Sequence, residues 1–386
     1  RVYDGYGDKT LRVCLLASYA FDASVQQIFG ALLQGHSLYI SDDESRKDGE
    51  SLLSFYNKYQ IDVSDGTPTH LRLLLESIDE VSSLDSLSSW ILAGETFPKE
   101  LAVSFYTKLG ERTQLYNFYG PTETCVDSTS YKVFYKELED LKRIPIGKPL
   151  PNERVYVTDS YGSFLPIGVI GELCIAGSGL ARRYTGDQSL TTEKFVSDWI
   201  DGETLVYRTG DMVRWLPDGN LEYQGRQDAQ VKIRGYRIEL SEIETHLNKH
   251  PSINHALVSV QEIETERSLV CYYQGEESIV VSELREYLSS FLPDYMIPSY
   301  YMHLESFPQL SNGKIDRNSL PELSLSLEDQ YVAPTTEVQE KLVVIYSDIL
   351  KIDRDLIGVN SSFIDLGGHS LKMVFLVNAI KKEFGV

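Results

Sequence analysis

Short apolar runs alternate with helix-like stretches over residues 11–224 of this chain. Three of the runs, Ser37–Ile40, Trp90–Ala93 and Arg154–Thr158, have the length and the β-branched or aromatic content that are typical of buried strands. Strands that alternate with helices along a chain indicate an α/β fold. We therefore expect the first part of the chain to be an α/β core.

The pattern changes towards the end of this core. Two strand-like runs within Tyr207–Tyr223 flank Pro217-Asp218-Gly219, a turn sequence that predicts a β-hairpin. A domain boundary is predicted at Gln227–Asp228, which makes residues 1–227 the core.

Residues 228–322 are predicted to form a small α+β subdomain. Its strand-like runs are Ala256–Val260 and Leu269–Tyr273, and a helix-like run covers Ser282–Phe291. Ser241 and Glu244 have the S-x-x-E spacing of a capping box, which predicts that an earlier helix starts at Ser241.

The last part of the chain is predicted to be helical. Residues 323–334 are interpreted as a linker, and residues 335–386 as a unit whose first helix covers Thr336–Leu350. The apolar stripe of that helix consists of Val338, Leu342, Ile345, Tyr346 and Ile349. A second apolar helix starts at Ser370. Two helices of this length cannot bury their apolar faces alone, so this unit is expected to be incomplete.

Composition and charge narrow the classes of function. A chain of 386 residues with 42% hydrophobic residues is long enough for two or three globular domains. It has neither an apolar run of membrane-spanning length nor the plan of a signal peptide. The net charge of −21 disfavours a nucleic acid partner but not a single nucleotide. Four cysteines, widely spaced, predict neither zinc nor disulfides and favour the reducing cytoplasm.

Two motifs of the core suggest a nucleotide site. In NFYGPTE, Asn117–Glu123, Thr122 offers a hydroxyl to a phosphate and Glu123 offers a hard oxygen ligand to Mg²⁺. In YRTGD, Tyr207–Asp211, the carboxylate of Asp211 is able to accept hydrogen bonds from a ribose diol. Twelve residues later, Tyr223 is suited to stack on an adenine face. Taken singly, each motif is equally or better explained as a structural turn. The glycines of Gly177-Ser178-Gly179 are interpreted as a tight turn.

Two further motifs lie in the later part of the chain. In NGKIDR, Lys314 follows an Asn-Gly turn and suits the stabilisation of negative charge, although a single loop lysine is more often only solvated. In LGGHSL, two glycines turn the backbone into a helix that starts at Ser370. A phosphodiester on that side chain would lie at the positive end of the helix dipole, whereas the simpler interpretation is a serine N-cap.

Together with FDAS at Phe21–Ser24, and in this order, these motifs resemble the adenylation domain of a nonribosomal peptide synthetase joined to its peptidyl carrier domain. The resemblance covers essentially the whole chain. It implies an adenylate-forming α/β fold of the acyl-CoA synthetase and luciferase type, a small α+β subdomain and a partial all-α carrier domain. It also implies that an amino acid and ATP form an aminoacyl adenylate, and that the acyl group then passes to the thiol of a 4′-phosphopantetheine arm.

The resemblance also implies roles for individual residues. Ser370 would carry the arm and Lys314 would bridge carboxylate and phosphate during adenylation. Asp228 would be the hinge of the subdomain, and Glu123 the contact to Mg²⁺. The implied nucleotide contacts are Tyr119, Thr122, Asp211, Tyr223 and Arg226. Implied partners are a phosphopantetheinyl transferase and, because His369 precedes Ser370, a neighbouring condensation domain.

The implied side-chain pocket is polar. Asp22 matches the aspartate that pairs with the α-ammonium group of an amino acid. The other positions are Ala23, Gln26, Asp65, Ile91, Ala93, Phe118, Val126 and Asp127. The pattern is similar to that of glutamine-activating members, although Phe118 and Ala93 depart from it. Ornithine, lysine or arginine would also suit two carboxylates.

The chain departs from the family pattern at both ends. The phosphate loop expected before FDAS is absent, as are the later carrier helices, so we expect a fragment that does not adenylate unaided. Two alternatives stay open. One is a stand-alone acyl- or aryl-acid CoA ligase of the same superfamily, which Asp22 and the carrier disfavour. The other is an inactive docking or scaffold fragment, which Glu123, Asp211 and Lys314 disfavour.

Overall fold

The computed structural model describes residues 7, 9–78, 84–197, 202, 205–227, 230–233, 235–263, 266–308, 315–321, 332–363, 366, 368 and 370–385. The chain divides into two compact units, residues 1–228 and residues 229–386. Most of the predicted linker lies outside the described residues. The predicted boundaries of the domains therefore stay predictions.

A seven-stranded sheet organises the first unit. Its strands are β1 (Arg12–Leu15), β2 (Ser37–Ile40), β3 (Val63–Gly66), β4 (Ser89–Leu92), β5 (Gln114–Tyr119), β6 (Thr129–Val133) and β7 (Lys148–Pro149). The order across the sheet is β2-β1-β3-β4-β5-β6-β7. Strands β1 to β5 pair in parallel, and β6 and β7 join antiparallel. The predicted α/β core is confirmed.

Helices cover both faces of this sheet. They are α1 (Ala23–Leu32), α2 (Gly49–Tyr59), α3 (Pro68–Ser77) and α4 (Lys99–Leu109). Successive residues of a strand point to opposite faces. Ile91 accordingly packs with Ala31 of α1, whereas its neighbour Trp90 packs with Phe105 of α4. Both faces of the central strands are therefore apolar, as their sequence indicates.

An antiparallel sheet completes the first unit. It contains β8 (Glu153–Thr158), β9 (Gly171–Gly177), β10 (Phe195–Ser197), β11 (Leu205–Trp215) and β12 (Leu221–Arg226), and α5 (Gln188–Lys194) precedes β10. Strands β11 and β12 pair antiparallel, and Gly219 donates its backbone N–H to the carbonyl of Leu216 at 3.0 Å in the turn between them. The predicted hairpin is confirmed.

The second unit contains shorter elements. They are β13 (Gln230–Ile233), β14 (Tyr236–Glu239), α6 (Leu240–Leu247), β15 (His255–Ile263), β16 (Glu266–Gln274), α7 (Val281–Ser289), β17 (Tyr300–His303), α8 (Glu337–Leu350) and α9 (Ser370–Phe384). Strands β15, β16 and β17 form one sheet and β13 pairs with β14. Within the described part of the chain, no helix is long and apolar enough to cross a membrane.

Two details of the predicted helices are wrong. Val338 is exposed, and Val343 is the buried valine of α8, because the helix turns its core face towards α9. The capping box at Ser241 is not formed, because β14 runs directly into α6 and Glu239 is the N-cap residue. Glu244 instead accepts from the backbone N–H of Val258 at 2.9 Å and from Arg317 at 3.0 Å. It therefore fastens α6 to the outer strand β15.

This network predicts different effects for two substitutions in α6: Glu244→Ala should destabilise the second unit and Ser241→Ala should not. Glu244→Ala removes the acceptor of the Val258 N–H, and a buried donor without a partner costs about 1–3 kcal/mol. We expect it to lower the free energy of unfolding of the second unit by that amount. Amide hydrogen exchange at Val258 and urea unfolding measure the effect. Ser241→Ala is the matched control and should change neither the hydrogen exchange at Val258 nor the free energy of unfolding. A loss of about 1 kcal/mol on Ser241→Ala would instead show that Ser241 does cap the helix.

Candidate functional site

The carboxyl end of β5 contributes side chains to two different surroundings. Phe118 packs with Ile91 in the apolar cluster beneath α1. The next residue, Tyr119, packs with Leu173 and Val213 of the antiparallel sheet. One strand end therefore reaches both the predicted side-chain pocket and the predicted nucleotide site.

The loop that follows β5, residues 120–128, is tightly closed. Ser128 donates its backbone N–H to the carbonyl of Tyr119 at 2.8 Å. A side chain at Gly120 would meet the carbonyl oxygen of Val126 at 2.4 Å, so the closure needs glycine there. Cys125 and Val126 have φ of 63° and 75°, and left-handed backbone at such residues costs on the order of 1–3 kcal/mol each. This loop carries candidate residues of both sites, and it holds them in a strained conformation.

Asp211 is the centre of a buried polar cluster. It is 2% exposed and lies on β11. Tyr119 donates its hydroxyl to Oδ2 at 2.5 Å, Arg226 donates to Oδ1 at 3.0 Å, and the Tyr223 hydroxyl lies 3.4 Å from Oδ1. Burial, and then the charge of Asp211, raise the pKa of Tyr119 well above its ordinary value, which keeps this phenol a donor. The structure therefore brings together four residues that the sequence identified separately.

Thr209 supports this cluster and was not identified from the sequence. Its hydroxyl accepts from the backbone N–H of Asp211 at 3.0 Å and donates to the carbonyl of Leu173 at 2.7 Å. Its own carbonyl accepts from Arg226 at 3.0 Å. It stands two residues before Asp211 in YRTGD, which is the only hint that the sequence offers. Thr209 thus orients both members of the Asp211–Arg226 ion pair.

Glu123 lies in the loop after β5 and is held by a residue far along the chain. Tyr184 donates its hydroxyl to Oε1 of Glu123 at 2.6 Å and lies 3.2 Å from the hydroxyl of Tyr207. Burial, followed by the hydrogen bond to Glu123, raises the pKa of Tyr184. Thr122, by contrast, is exposed. Neither Tyr184 nor Tyr207 was identified from the sequence, because nothing in the spacing links residues 61 positions apart.

Among the described residues, no group of three or more histidine, cysteine, aspartate or glutamate side chains is arranged to hold a metal ion. A single carboxylate at a strand end suits Mg²⁺ that is held mainly by the phosphates of a substrate and by water. Glu123, with one oxygen oriented by Tyr184, fits that kind of site. In the turn Gly177-Ser178-Gly179, the backbone N–H of Gly179 donates to the carboxylate of Glu153 at 3.0 Å. This N–H is therefore already used within the protein, in line with the interpretation as a structural turn.

The predicted pocket residues converge on the carboxyl ends of the parallel strands. Asp65 of β3 is paired in register with Ile91 of β4, and Ala93 follows β4. Asp22 is the N-cap residue of α1, and its side chain makes no capping hydrogen bond in the described structure. The other members are Ala23 and Gln26 on α1, Phe118 on β5, and Val126 and Asp127 in the loop after β5. Ligands of open α/β sheets bind at this edge.

Asp65 is the buried charge of this pocket. It is 5% exposed. Burial raises its pKa to about 7, partly offset by the side-chain amide of Gln27. Asp127, the other carboxylate of the predicted pocket, is only half-buried. The carboxyl ends of the strands thus provide one buried acid among apolar walls.

Three candidate residues are described incompletely or not at all. Lys314 and Asp228 lie outside the described residues. Ser370 is the first residue of α9, as predicted, and only its backbone is described. In the turn before it, a side chain at Gly368 would meet the Phe363 carbonyl oxygen at 2.3 Å, so the approach to this helix start requires glycine.

Two known families match separate parts of the chain. Residues 2–185 match the family described as AMP-binding enzyme. Residues 340–386 match the family described as phosphopantetheine attachment site. The second match includes the start of α9 at Ser370.

Curated relatives and a solved structure agree with these matches. The chain is 42% identical over 97% of its length to gramicidin S synthase 2 of Brevibacillus brevis, and 40% identical over 98% to surfactin synthase subunit 1 of Bacillus subtilis strain 168. It spans 8% and 11% of the length of these relatives. A solved nonribosomal peptide synthetase protein with adenylation and PCP domains, bound to a vinylsulfonamide inhibitor, is 26% identical, with a TM-score of 0.79 over 98% of this chain and 62% of its own. The chain therefore belongs to the nonribosomal peptide synthetases and joins an adenylation-domain segment of the α/β adenylate-forming fold to a phosphopantetheine carrier domain.

Proposed function

We propose that this chain serves amino-acid activation in a nonribosomal peptide synthetase. With ATP it contributes to forming an aminoacyl adenylate, and the acyl group then passes to a phosphopantetheine arm on Ser370. The observation that carries the proposal is the buried Asp211 cluster beside the Glu123 loop, in a chain that also matches a phosphopantetheine attachment site. The similarity to peptide synthases supports a role in making a peptide product, including antibiotics.

Asp211 is suited to hold the ribose of the nucleotide. A carboxylate offers about four lone-pair sites. Tyr119 and Arg226 each occupy one, and the Tyr223 hydroxyl occupies a third at 3.4 Å, which leaves capacity for one hydroxyl of a ribose. Arg226 offsets the negative charge of the Asp211 carboxylate at this buried position. Tyr119 and Tyr223, with ring centroids 6.4 Å apart, are proposed to contact the adenine.

Glu123 and Thr122 are proposed to act at the phosphates. When bound, Mg²⁺ supplies positive charge that offsets the charge on the transferring phosphate. Glu123 would hold the metal, with its carboxylate oriented by Tyr184. The exposed hydroxyl of Thr122 would donate to a phosphate oxygen. In the reaction, an oxygen of the substrate carboxylate attacks the α-phosphorus of ATP, and pyrophosphate leaves.

Asp22 is proposed to bind the α-ammonium group of the substrate. It stands at the N-terminus of α1, and its carboxylate is not engaged in capping the helix within the described structure. The side chain of the substrate would lie against Ala93, Ile91 and Phe118 and reach Asp65. A polar substrate is expected, either glutamine or one of ornithine, lysine and arginine.

Lys314 and Asp228 retain the roles that the resemblance implies. Lys314 would bridge the substrate carboxylate and the phosphate during adenylation, and Asp228 would be the hinge about which the following subdomain rotates. One site that performs two reactions in turn must exchange its catalytic groups between them. The proposed partners are a phosphopantetheinyl transferase and a neighbouring condensation domain, and a cytoplasmic location stays a prediction.

Exchange of pyrophosphate into ATP tests the proposed activity. In the full-length protein that carries this chain, we expect exchange that depends on an α-amino acid and stays at background with fatty or aryl acids. Asp22→Ala should reduce it at least tenfold, because the α-ammonium group loses its charged partner. Exchange driven by fatty or aryl acids would instead support a CoA ligase, and no exchange with any acid would support an inactive scaffold.

The attachment site has a test of its own. We expect the carrier domain of the full-length protein to gain the mass of one phosphopantetheine when it is treated with a phosphopantetheinyl transferase and coenzyme A. Intact-protein mass spectrometry measures the gain. Ser370→Ala should abolish it, and Ser361→Ala in the same domain is the matched control that should not. An equal gain on Ser370→Ala would show that the arm is attached elsewhere.

The proposed role of Lys314 separates the two half-reactions. Lys314→Ala should lower the rate of adenylate formation at least a hundredfold, because a preorganised charge at the reacting phosphate is lost. Transfer from a preformed adenylate to the carrier should change less than threefold. Single-turnover assays of the two steps measure this difference, and equal losses in both would contradict the role.

A further inference from the structure

Strand β11 departs from regular pairing at the residue that is proposed to hold the ribose. Its pairing with β9 shifts between Arg208 and Met212, where three residues of β11, 209–211, lie opposite a single residue of β9. The strand therefore contains a bulge, and Asp211 belongs to it. All three residues are buried. Their backbone groups lose regular partners in β9 and must bond elsewhere, because an unpaired polar group is costly away from water.

Glu172 of β9 supplies one of these bonds with its buried side chain. Its Oε1 accepts the backbone N–H of Gly210, the middle residue of the bulge, at 3.1 Å. Its Oε2 accepts from Nε of Arg208, the last regularly paired residue before the bulge, at 2.9 Å. Gly210 has a φ of 74°, a left-handed conformation that glycine adopts readily. One carboxylate thus fixes the middle of the bulge against β9.

The other bonds of the bulge come from elsewhere. The carbonyl of Gly210 accepts from the backbone N–H of Gln227, just after β12, at 3.0 Å. The N–H of Asp211 donates to the hydroxyl of Thr209 at 3.0 Å, within the bulge itself. Among these contacts of the described residues, the bond to Glu172 is the one that joins the bulge backbone to β9. Because Gly210 directly precedes Asp211, loss of this bond would let the backbone of Asp211 move.

Glu172 lies on the face of the sheet away from the proposed nucleotide. Its neighbour Leu173 packs with Tyr119, which donates its hydroxyl to Asp211. Successive residues of a strand point to opposite faces, so the side chain of Glu172 points away from Tyr119. Glu172 would therefore influence the nucleotide through the backbone of Gly210 and not by contact with it.

We propose that Glu172 is a positioning residue for nucleotide binding, which fixes the bulge of β11 through the Gly210 N–H and thereby places the Asp211 carboxylate for a ribose hydroxyl. The inference rests on the proposed function, since it concerns the ribose contact of the same site. A misplacement of about 1 Å at a reacting site costs on the order of a hundredfold in rate. A carboxylate behind the sheet is therefore expected to affect the use of ATP.

A second ion pair of the same sheet provides a matched control. Arg214 of β11 donates its Nε to Oε2 of Glu222 on β12 at 2.7 Å. The side chains of Arg214 and Glu222 are 35% and 7% exposed, against 32% and 7% for Arg208 and Glu172. Glu222→Met therefore removes an ion pair of the same type and burial as Glu172→Met does, but it leaves the contact to the bulge intact.

Pyrophosphate exchange with two nucleotides tests the inference in the full-length protein, with the amino acid that gives the highest exchange rate. ATP is compared with 2′,3′-dideoxy-ATP, which lacks both ribose hydroxyls and so gains nothing from Asp211. For the wild type, we expect kcat/KM for ATP to be higher about tenfold or more, because a site that hydrogen-bonds a hydroxyl discriminates against an analogue without it. Glu172→Met should lower kcat/KM for ATP about tenfold or more and that for the dideoxy analogue less than about threefold. Glu222→Met should leave the ratio of the two values unchanged.

The ratio of the two kcat/KM values decides the outcome. A wild type without preference for ATP would overturn the ribose contact in the proposed function and the inference with it. A wild-type preference that survives Glu172→Met, or that Glu222→Met reduces equally, would overturn the inference and leave the proposed function intact. If Glu172→Met does not fold, Glu172→Asp should lower the ratio in the same direction, because its shorter side chain keeps the charge near Arg208 but withdraws the carboxylate from Gly210.

Discussion

The alternation of side chains at the end of β5 is the constraint on which both halves of the site depend. Two consecutive residues point to opposite faces, so Phe118 packs in the apolar cluster beneath α1, at the proposed pocket, while Tyr119 reaches Asp211. A shift of β5 by one residue would exchange these positions and abolish both sites. The parallel pairing of β1 to β5 sets the register, and it brings Asp65 and Ala93 to the same edge.

The loop after β5 carries Glu123 and fixes its position relative to the sheet. It returns to Tyr119 through Ser128, and it accepts left-handed backbone at Cys125 and Val126 to do so. Packing around Gly120 and the hydrogen bond from Tyr184 to Glu123 offset that strain. Contacts within the first unit therefore offset the conformational cost and hold Glu123, the proposed magnesium ligand, in place. Preorganisation of this kind reduces the entropic cost of binding a ligand.

Local signals predicted elements well where tertiary contacts agreed with them. Thr336 is the N-cap residue of α8 and forms a capping box with Gln339, in line with the predicted start of that helix. The S-x-x-E sequence at Ser241 is an equally good local signal, but β14 leads directly into α6, and Val258 requires the Glu244 carboxylate. The same motif therefore had two outcomes, because a side chain bonds to the strongest available partner, whether it is near or far in sequence.

The sequence by itself determined the order of the motifs, the α/β character of the core and the family. These properties are linear, and they are expressed in short segments with their own turn and periodicity signals. Only the tertiary structure decided which side chains meet. Tyr119 and Asp211 are 92 positions apart, and Tyr184 and Glu123 are 61 apart. Such contacts follow from strand order and register, which no local stretch of sequence encodes.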